Sequence, residues 1–259
     1  MIGVFDSGIG GLTVVRELLK QMPENGIIYF GDTARYPYGN KSKETIERYA
    51  LQDARFLIEH GAKIIVVACN TASALAIDKL RQEINLPLFE VITPAVEQAV
   101  ASTSSKRIGV IGTRGTIKSE IYTKKIHEID PSMEVIGKPC PLFVPLVEEG
   151  WLEHSETKKI IKSYLAPLKN KNIDTLILGC THYPLLKPQI QAKIGRQVVL
   201  IDSAEEIVKK IKEYLRDHAD MGTKGKHEFF LSDVSEHTQQ IASKWLGQSI
   251  KFKEGVICG

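Results

Sequence analysis

Two of the four cysteines stand where chemistry is easy to build. Cys69 ends the apolar run Ile64 to Ala68 and leads into Asn70-Thr71-Ala72; Cys180 ends Thr175 to Gly179 and leads into Thr181-His182-Tyr183-Pro184. Both positions read as strand ends beside helix starts, where amide dipoles favour the thiolate. A lone cysteine is most often an inert buried residue. Two thiols related by an approximate twofold axis, each followed by hydroxyl or amide donors, can instead flank one substrate carbon from opposite sides. That is the geometry for taking a proton from one face and returning one to the other, as stereochemical inversion requires. A third turn, Asp6-Ser7-Gly8-Ile9-Gly10-Gly11, follows an apolar strand and opens a helix, so its backbone N–H groups and the helix dipole can hold an anion. It lacks the Walker lysine and the full GxGxxG spacing, which makes a nucleotide reading poor, and Asp6 reads equally well as a helix cap.

These residues need elements to hold them. Short β-branched runs at 2 to 5, 26 to 30 and 63 to 68 alternate with amphipathic stretches at 11 to 20, 43 to 60 and 72 to 84. Ser42 caps the helix over 43 to 60, and His60-Gly61 stops it. The pattern restarts with strands at 107 to 111, 133 to 136 and 174 to 178, and with helices at about 115 to 129 and 155 to 168. Gly3-Val4-Phe5-Asp6-Ser7-Gly8 matches Gly109-Val110-Ile111-Gly112-Thr113-Arg114, and Ile65 to Thr71 matches Leu176 to His182, at nearly one spacing. The fold class is therefore α/β: two similar parallel-sheet α/β domains related by pseudo-twofold symmetry. Hinges fall near Val91-Ile92-Thr93-Pro94 and Asp202-Ser203. The tail, with a helix over 204 to 218, a connector at 222 to 226, a strand from His227 to Leu231 and a helix over 235 to 246, is too short for its own core and completes the first half. The expected division is residues 1–94 with 207–259 in one domain and 95–206 in the other, with the active site in the cleft between them.

Composition narrows the partners. A chain of 259 residues with 43% hydrophobic and 25% charged residues buries a sizeable core without metal or disulfide staples. Its formal charge of +3 is scattered, so no nucleic acid is expected. No apolar run approaches the roughly 18 residues of a spanning helix. Met1 leads straight into Ile2-Gly3-Val4-Phe5 with no basic leader or cleavage site, which predicts a cytoplasmic, membrane-free protein. Without CxxC spacing the cysteines read as free thiols, with Cys140 and Cys258 structural or incidental. A zinc site of Cys69, Cys180 and His182 would need the thiols closer than a substrate-filled cleft permits.

Five ordered motifs resemble those of bacterial glutamate racemase, in the aspartate/glutamate racemase family: Asp6 to Gly11, Tyr36-Pro37-Tyr38-Gly39, Cys69-Asn70-Thr71-Ala72, Pro141-Leu142-Phe143-Val144-Pro145-Leu146-Val147-Glu148, and Gly179-Cys180-Thr181-His182-Tyr183-Pro184. The resemblance covers nearly the whole chain. Aspartate racemases typically carry Cys-Thr-Glu at the second cysteine, so His182 favours glutamate.

The resemblance implies a cofactor-independent isomerase that interconverts L- and D-glutamate and supplies D-glutamate for peptidoglycan. Cys69 and Cys180 would exchange the roles of base and acid with reaction direction. Asp6 and His182 would flank the thiols, with Glu148 a third auxiliary group beside Glu149. Ser7, Asn70, Thr71 and Thr181 supply donors for the substrate's carboxylates and ammonium, Thr113 and Thr116 add hydroxyls, and Pro37, Tyr38 and Gly39 form a turn that closes over substrate. A homodimer without an activator is expected. Racemisation of aspartate, a binding protein for an anionic amino acid, and a thiol oxidoreductase remain as alternatives.

Overall fold

The computed structural model describes residues 1–218, 221 and 225–257. The strands read from the sequence are strands, and their hydrogen bonding sorts them into two sheets. The first carries β1 (Ile2–Asp6), β2 (Ile27–Gly31), β3 (Ile64–Val67) and β4 (Leu88–Glu90), with β9 (Glu228–Leu231) and β10 (Lys253–Glu254) added at the β2 edge, in the order β10-β9-β2-β1-β3-β4. The second carries β5 (Arg107–Gly112), β6 (Glu134–Pro139), β7 (Thr175–Gly179) and β8 (Val199–Asp202), in the order β6-β5-β7-β8. All pairings are parallel. The order β2-β1-β3-β4 of the first sheet recurs strand for strand in the second, which is the duplication visible in the sequence. The central strands β1, β3 and β7 are wholly buried, as expected of parallel strands covered on both faces, and so read as continuous apolar runs.

The duplicated halves also repeat a packing detail. A Cβ at Gly3 would lie 2.7 Å from Ala62 Cβ and 3.1 Å from Leu57 Cβ; at Gly109 it would lie 2.5 Å from Ile173 Cδ1 and 3.6 Å from Leu168 Cδ2. These partners belong to corresponding helices, α2 (Lys43–Glu59) and α8 (Ser155–Asn170), and to the turns that follow them. Each glycine lets the helix close down on the first strand of its sheet. Leu57 fills that contact with no exposed surface, and truncating it to Ala should cost about 2 to 5 kcal/mol.

Helix ends follow local chemistry. Ser42 Oγ accepts the Thr45 N–H at 3.3 Å as the predicted cap of α2, and Gly61 after it has φ +90°. The single helix expected over 115 to 129 is instead two, α5 (Arg114–Lys118) and α6 (Ile121–Ile129). Ser119 Oγ donates back to the Thr116 carbonyl at 2.7 Å and Glu120 adopts a left-handed φ of 56°, so side-chain hydrogen bonding breaks the helix between them.

Several elements had no counterpart in the sequence reading: α4 (Ile92–Ser102), α7 (Phe143–Glu148) and α9 (Lys187–Ile194), along with β4 and β8. Val91 to Pro94, read as a hinge, is the start of α4, whose first turn tolerates Pro94. The division after residue 94 thus falls inside α4, and that after 206 falls inside α10 (Ser203–Asp217). The remaining helices are α1 (Leu12–Gln21), α3 (Asn70–Glu83) and α11 (Glu236–Leu246). Cys258 and most of the 222 to 226 connector lie outside the described residues. No described helix is long and apolar enough to cross a membrane.

Candidate active site

Equivalent strands deliver the two thiols. Cys69 lies just past β3 and caps α3; Cys180 immediately follows β7 and opens into the short helical turn Tyr183–Leu186. Both face one cavity of about 560 Å³ formed where the carboxyl ends of the two sheets meet. Ser7, Asn70 and Thr71 line it from the first half, Thr113, Thr181 and His182 from the second, and Pro37, Tyr38, Gly39 and Glu148 also line it.

Two anticipated residues sit behind the wall. Asp6 is fully buried at the end of β1, where it accepts the Gly8 N–H at 3.0 Å and the Thr181 hydroxyl at 3.4 Å. It does not line the cavity, and its links towards it are the Thr181 hydroxyl bond and its effect on Cys69. Thr116 is buried beneath a hydroxyl triangle, 3.3 Å from Thr71 Oγ1 and 3.0 Å from Thr113 Oγ1, with the latter two 3.0 Å apart. It orients the two wall threonines.

The two thiols differ in their surroundings. Cys69 Sγ donates to Ser7 Oγ at 3.5 Å, and burial, reinforced by Asp6, pushes the thiol up to about 12 against the opposing Ala72 N–H and Ser7 contacts. Cys180 Sγ lies 3.9 Å from His182 Nδ1, whose Nε2 is 3.0 Å from Glu148 Oε1. Burial disfavours the imidazolium, but Cys180 and Glu148 outweigh it and push His182 up to about 10. A charged His182 places its positive charge 3.9 Å from the Cys180 sulfur. Burial also raises Asp6, against the His182 charge and the N–H groups of Gly8 and Gly11.

Asn70 completes the donor set. Its Oδ1 accepts the Tyr122 hydroxyl at 2.6 Å, while its buried Nδ2 has no partner among the described residues. A buried donor of this kind is free to bond an acceptor in the cavity. Sequence reasoning missed Tyr36, Asn40, Arg114, Tyr164 and Tyr183 on the wall. Tyr36 lay within a motif already singled out, and Arg114 follows Thr113 in a strand-end turn, so both carried a local signal. Arg114 is the only Lys or Arg among the described lining residues. Tyr183 also lay within a quoted motif, whereas Tyr164 arrives through the tertiary packing in which both tyrosines stack on Phe143, with ring centroids 5.3 Å away for Tyr164 and 5.1 Å for Tyr183. Among the described residues no group of three or more His, Cys, Asp or Glu is placed to hold a metal ion.

Residues 2–211 match the family profile described as Asp/Glu/Hydantoin racemase. The chain belongs to this racemase family. Racemase relatives include a glutamate racemase of Geobacter metallireducens, 49% identical over 95% of this chain and 92% of its own length. Among solved racemase structures, a glutamate racemase isoform from Bacillus anthracis superposes with a TM-score of 0.93 at 39% identity, covering 98% of this chain and 96% of that one. A glutamate racemase from Francisella tularensis in complex with D-glutamate gives 0.91 at 39% identity, covering 98% and 96%. This racemase-family chain is thus an isomerase built on the two-sheet fold of those structures.

Proposed function

We propose that this chain interconverts L- and D-glutamate by proton transfer between Cys69 and Cys180. The observation that carries the reading is that two thiols at equivalent strand ends line one cavity. The names of the relatives and the D-glutamate held by the Francisella protein support glutamate as the substrate.

The chemistry runs as follows. One sulfur, as thiolate, takes the α-proton and becomes a thiol; the electron pair stays on the carbon, and the opposite thiol gives its proton to the other face and becomes the thiolate. Each turnover therefore exchanges the protonation states of Cys69 and Cys180. The α-proton of an amino acid is far less acidic than a thiol of pKa about 8.5, so the site must stabilise charge developing on the carbon and its carboxylate. Asn70 Nδ2 and the hydroxyls of Ser7, Thr71, Thr113 and Thr181 are fixed donors for that purpose, in a pocket where they are stronger than in water. The Cys180, His182 and Glu148 chain prepares one sulfur to accept a proton, and the Cys69 pocket beside Asp6 keeps the other ready to donate one.

The wider role follows the same reading: supply of D-glutamate to peptidoglycan by a cytoplasmic homodimer, with residues 1–94 plus 207–259 and residues 95–206 closing on substrate as two bodies. Light scattering tests the dimer, and matching scattering profiles with and without glutamate would argue against closure.

Proton NMR in D₂O with L-glutamate, with L-aspartate alongside, tests the reaction. Loss of the glutamate α-proton signal with appearance of the D-isomer, abolished in Cys69→Ser and Cys180→Ser, is expected. Exchange of aspartate alone would move the substrate assignment, and exchange of neither would leave an anion-binding protein.

A further inference from the structure

Beneath the Tyr38–Asn40 turn lies a polar cluster that proton transfer does not use. Asp32, beyond the end of β2, and Asp53, on the inner face of α2, have no exposed surface. Arg35 Nε donates to Asp32 Oδ2 at 2.7 Å, and Arg35 Nη2 donates to Asp53 Oδ1 at 2.8 Å. Tyr38 Oη lies 2.8 Å from Asp53 Oδ2 and also meets Asp32 Oδ2. Ser232 Oγ donates to Asp32 Oδ1 at 3.0 Å.

Proton counting decides the state of this cluster. The phenol has one hydrogen and can donate to one carboxylate, so the second contact is a hydrogen bond only if that carboxyl carries a proton. Two ionised carboxylates around one guanidinium would leave a buried negative charge uncompensated, whereas one neutral carboxyl closes the network with no net charge. The titratable groups facing Asp53 are Asp32, Arg35 and Tyr38, with Asp6 adding a weaker repulsion; burial and Asp32 raise Asp53 well above the usual carboxylate range. Asp32 meets three donors, Ser232 Oγ, Arg35 Nε and Tyr38 Oη, and Asp53 meets only Arg35 and Tyr38, so the charge stays on Asp32 and the proton on Asp53. Asp53 donates to Tyr38, Tyr38 donates to Asp32, and Arg35 donates to both acids.

We propose that Asp53 is a neutral, proton-donating carboxyl that positions Tyr38 and, through it, fixes the Gly39–Asn40 wall of the cavity. Tyr38, Gly39 and Asn40 all line the cavity, and their turn packs on α3 and α5, the helices that carry or follow Asn70, Thr71 and Thr113. Displacing the turn loosens the fit around substrate and leaves the two thiols where they are. The kinetic readout rests on the glutamate racemase reading; the structural readout does not.

Asparagine is the isostere of the proposed neutral acid, its Nδ2 donating to Tyr38 and its Oδ1 accepting from Arg35. In the full-length chain, Asp53→Asn should keep KM for glutamate within about twofold of wild type. Asp53→Ala should raise KM by about tenfold, the equivalent of about 1.4 kcal/mol, with kcat little changed. Tyr38→Phe, which keeps the ring and loses only the hydroxyl, should reproduce that KM rise and serves if the Ala variant does not fold. Hydrogen–deuterium exchange over residues 33–41 should be faster in Asp53→Ala and Tyr38→Phe, unchanged in Asp53→Asn, and unchanged in β3 throughout. An Asp53→Asn variant as impaired as Asp53→Ala would overturn the neutral acid, and wild-type exchange over 33–41 in both Asp53→Ala and Tyr38→Phe would overturn the positioning role. If the wild type does not racemise glutamate, the functional reading fails while the exchange comparison still decides this one.

Discussion

The two halves of the cavity share a backbone plan and differ in charge. At the β3 end Cys69 faces Ser7 with the buried Asp6 behind it; at the β7 end Cys180 faces His182 backed by Glu148. Symmetric strands thus deliver two sulfurs to one space, and their neighbours differ: a buried carboxyl group stands behind Cys69, and an imidazole backed by a carboxylate stands beside Cys180. Duplication supplies matching backbone geometry, while divergence at a few side chains gives the two sulfurs different neighbours.

The largest break comes from removing either sulfur. Cys69→Ser and Cys180→Ser should each lower racemisation by about 10² to 10⁴-fold, the usual worth of a positioned acid or base, measured by chiral chromatography. Wild-type rates in either variant would end the two-thiol account. His182→Asn attacks only one half and should cost about 10²-fold. Its loss should also remove the alkaline limb of the wild-type pH profile, because the imidazolium disappears as pH rises through about 10.

Stability carries the same signature. His182 is raised from 6.5 to about 10, so its contribution is complete below pH 6.5 and is lost as pH rises towards 10. Over that interval the wild-type unfolding midpoint should fall more than that of His182→Asn. A parallel fall in both would place the imidazolium elsewhere.

Asp6→Asn sharpens the other half with a smaller effect. Burial is the larger cause of the high Cys69 value and Asp6 the second, so removing the carboxylate should move the pH midpoint of Cys69 alkylation modestly below about 12. An unmoved midpoint would show that Asp6 serves only as the Gly8 and Thr181 acceptor. The smallest contrast lies in the packing. Gly3→Ala drives a Cβ against the backbone-fixed Ala62 Cβ, whereas Gly109→Ala meets the flexible end of Ile173. Gly3→Ala should destabilise by about 2 kcal/mol and Gly109→Ala by about 1 kcal/mol in urea titrations. Equal costs would mean that the two halves yield alike.

Much of this was legible before any coordinates. The parallel strands announced themselves as β-branched runs because both of their faces are covered, and each motif turn fell at a strand end because that is where such sheets bind ligands. The short elements escaped for the opposite reason. β4 has three residues and α7 has six, too few to express a period, and α4 begins at Val91-Ile92-Thr93-Pro94, where Pro94 reads as a breaker until its place in the first turn is known. At the site, Cys69, Cys180, His182 and their hydroxyl neighbours were readable from local sequence. Asp53 and Tyr164 were not, since a helical Asp and a helical Tyr look alike on a solvated face and against a cavity.

By itself the sequence determined the fold class, the duplication and the two sulfurs, because periodicity and strand-end chemistry are local properties. Only the tertiary structure decided which half each charge serves. It moved Asp6 and Thr116 behind the wall, brought Glu148 from α7 to His182, and joined Asp32, Arg35, Tyr38 and Asp53 into one buried network. Proton affinity depends on burial and on neighbours distant in the chain, and those exist only once it has folded.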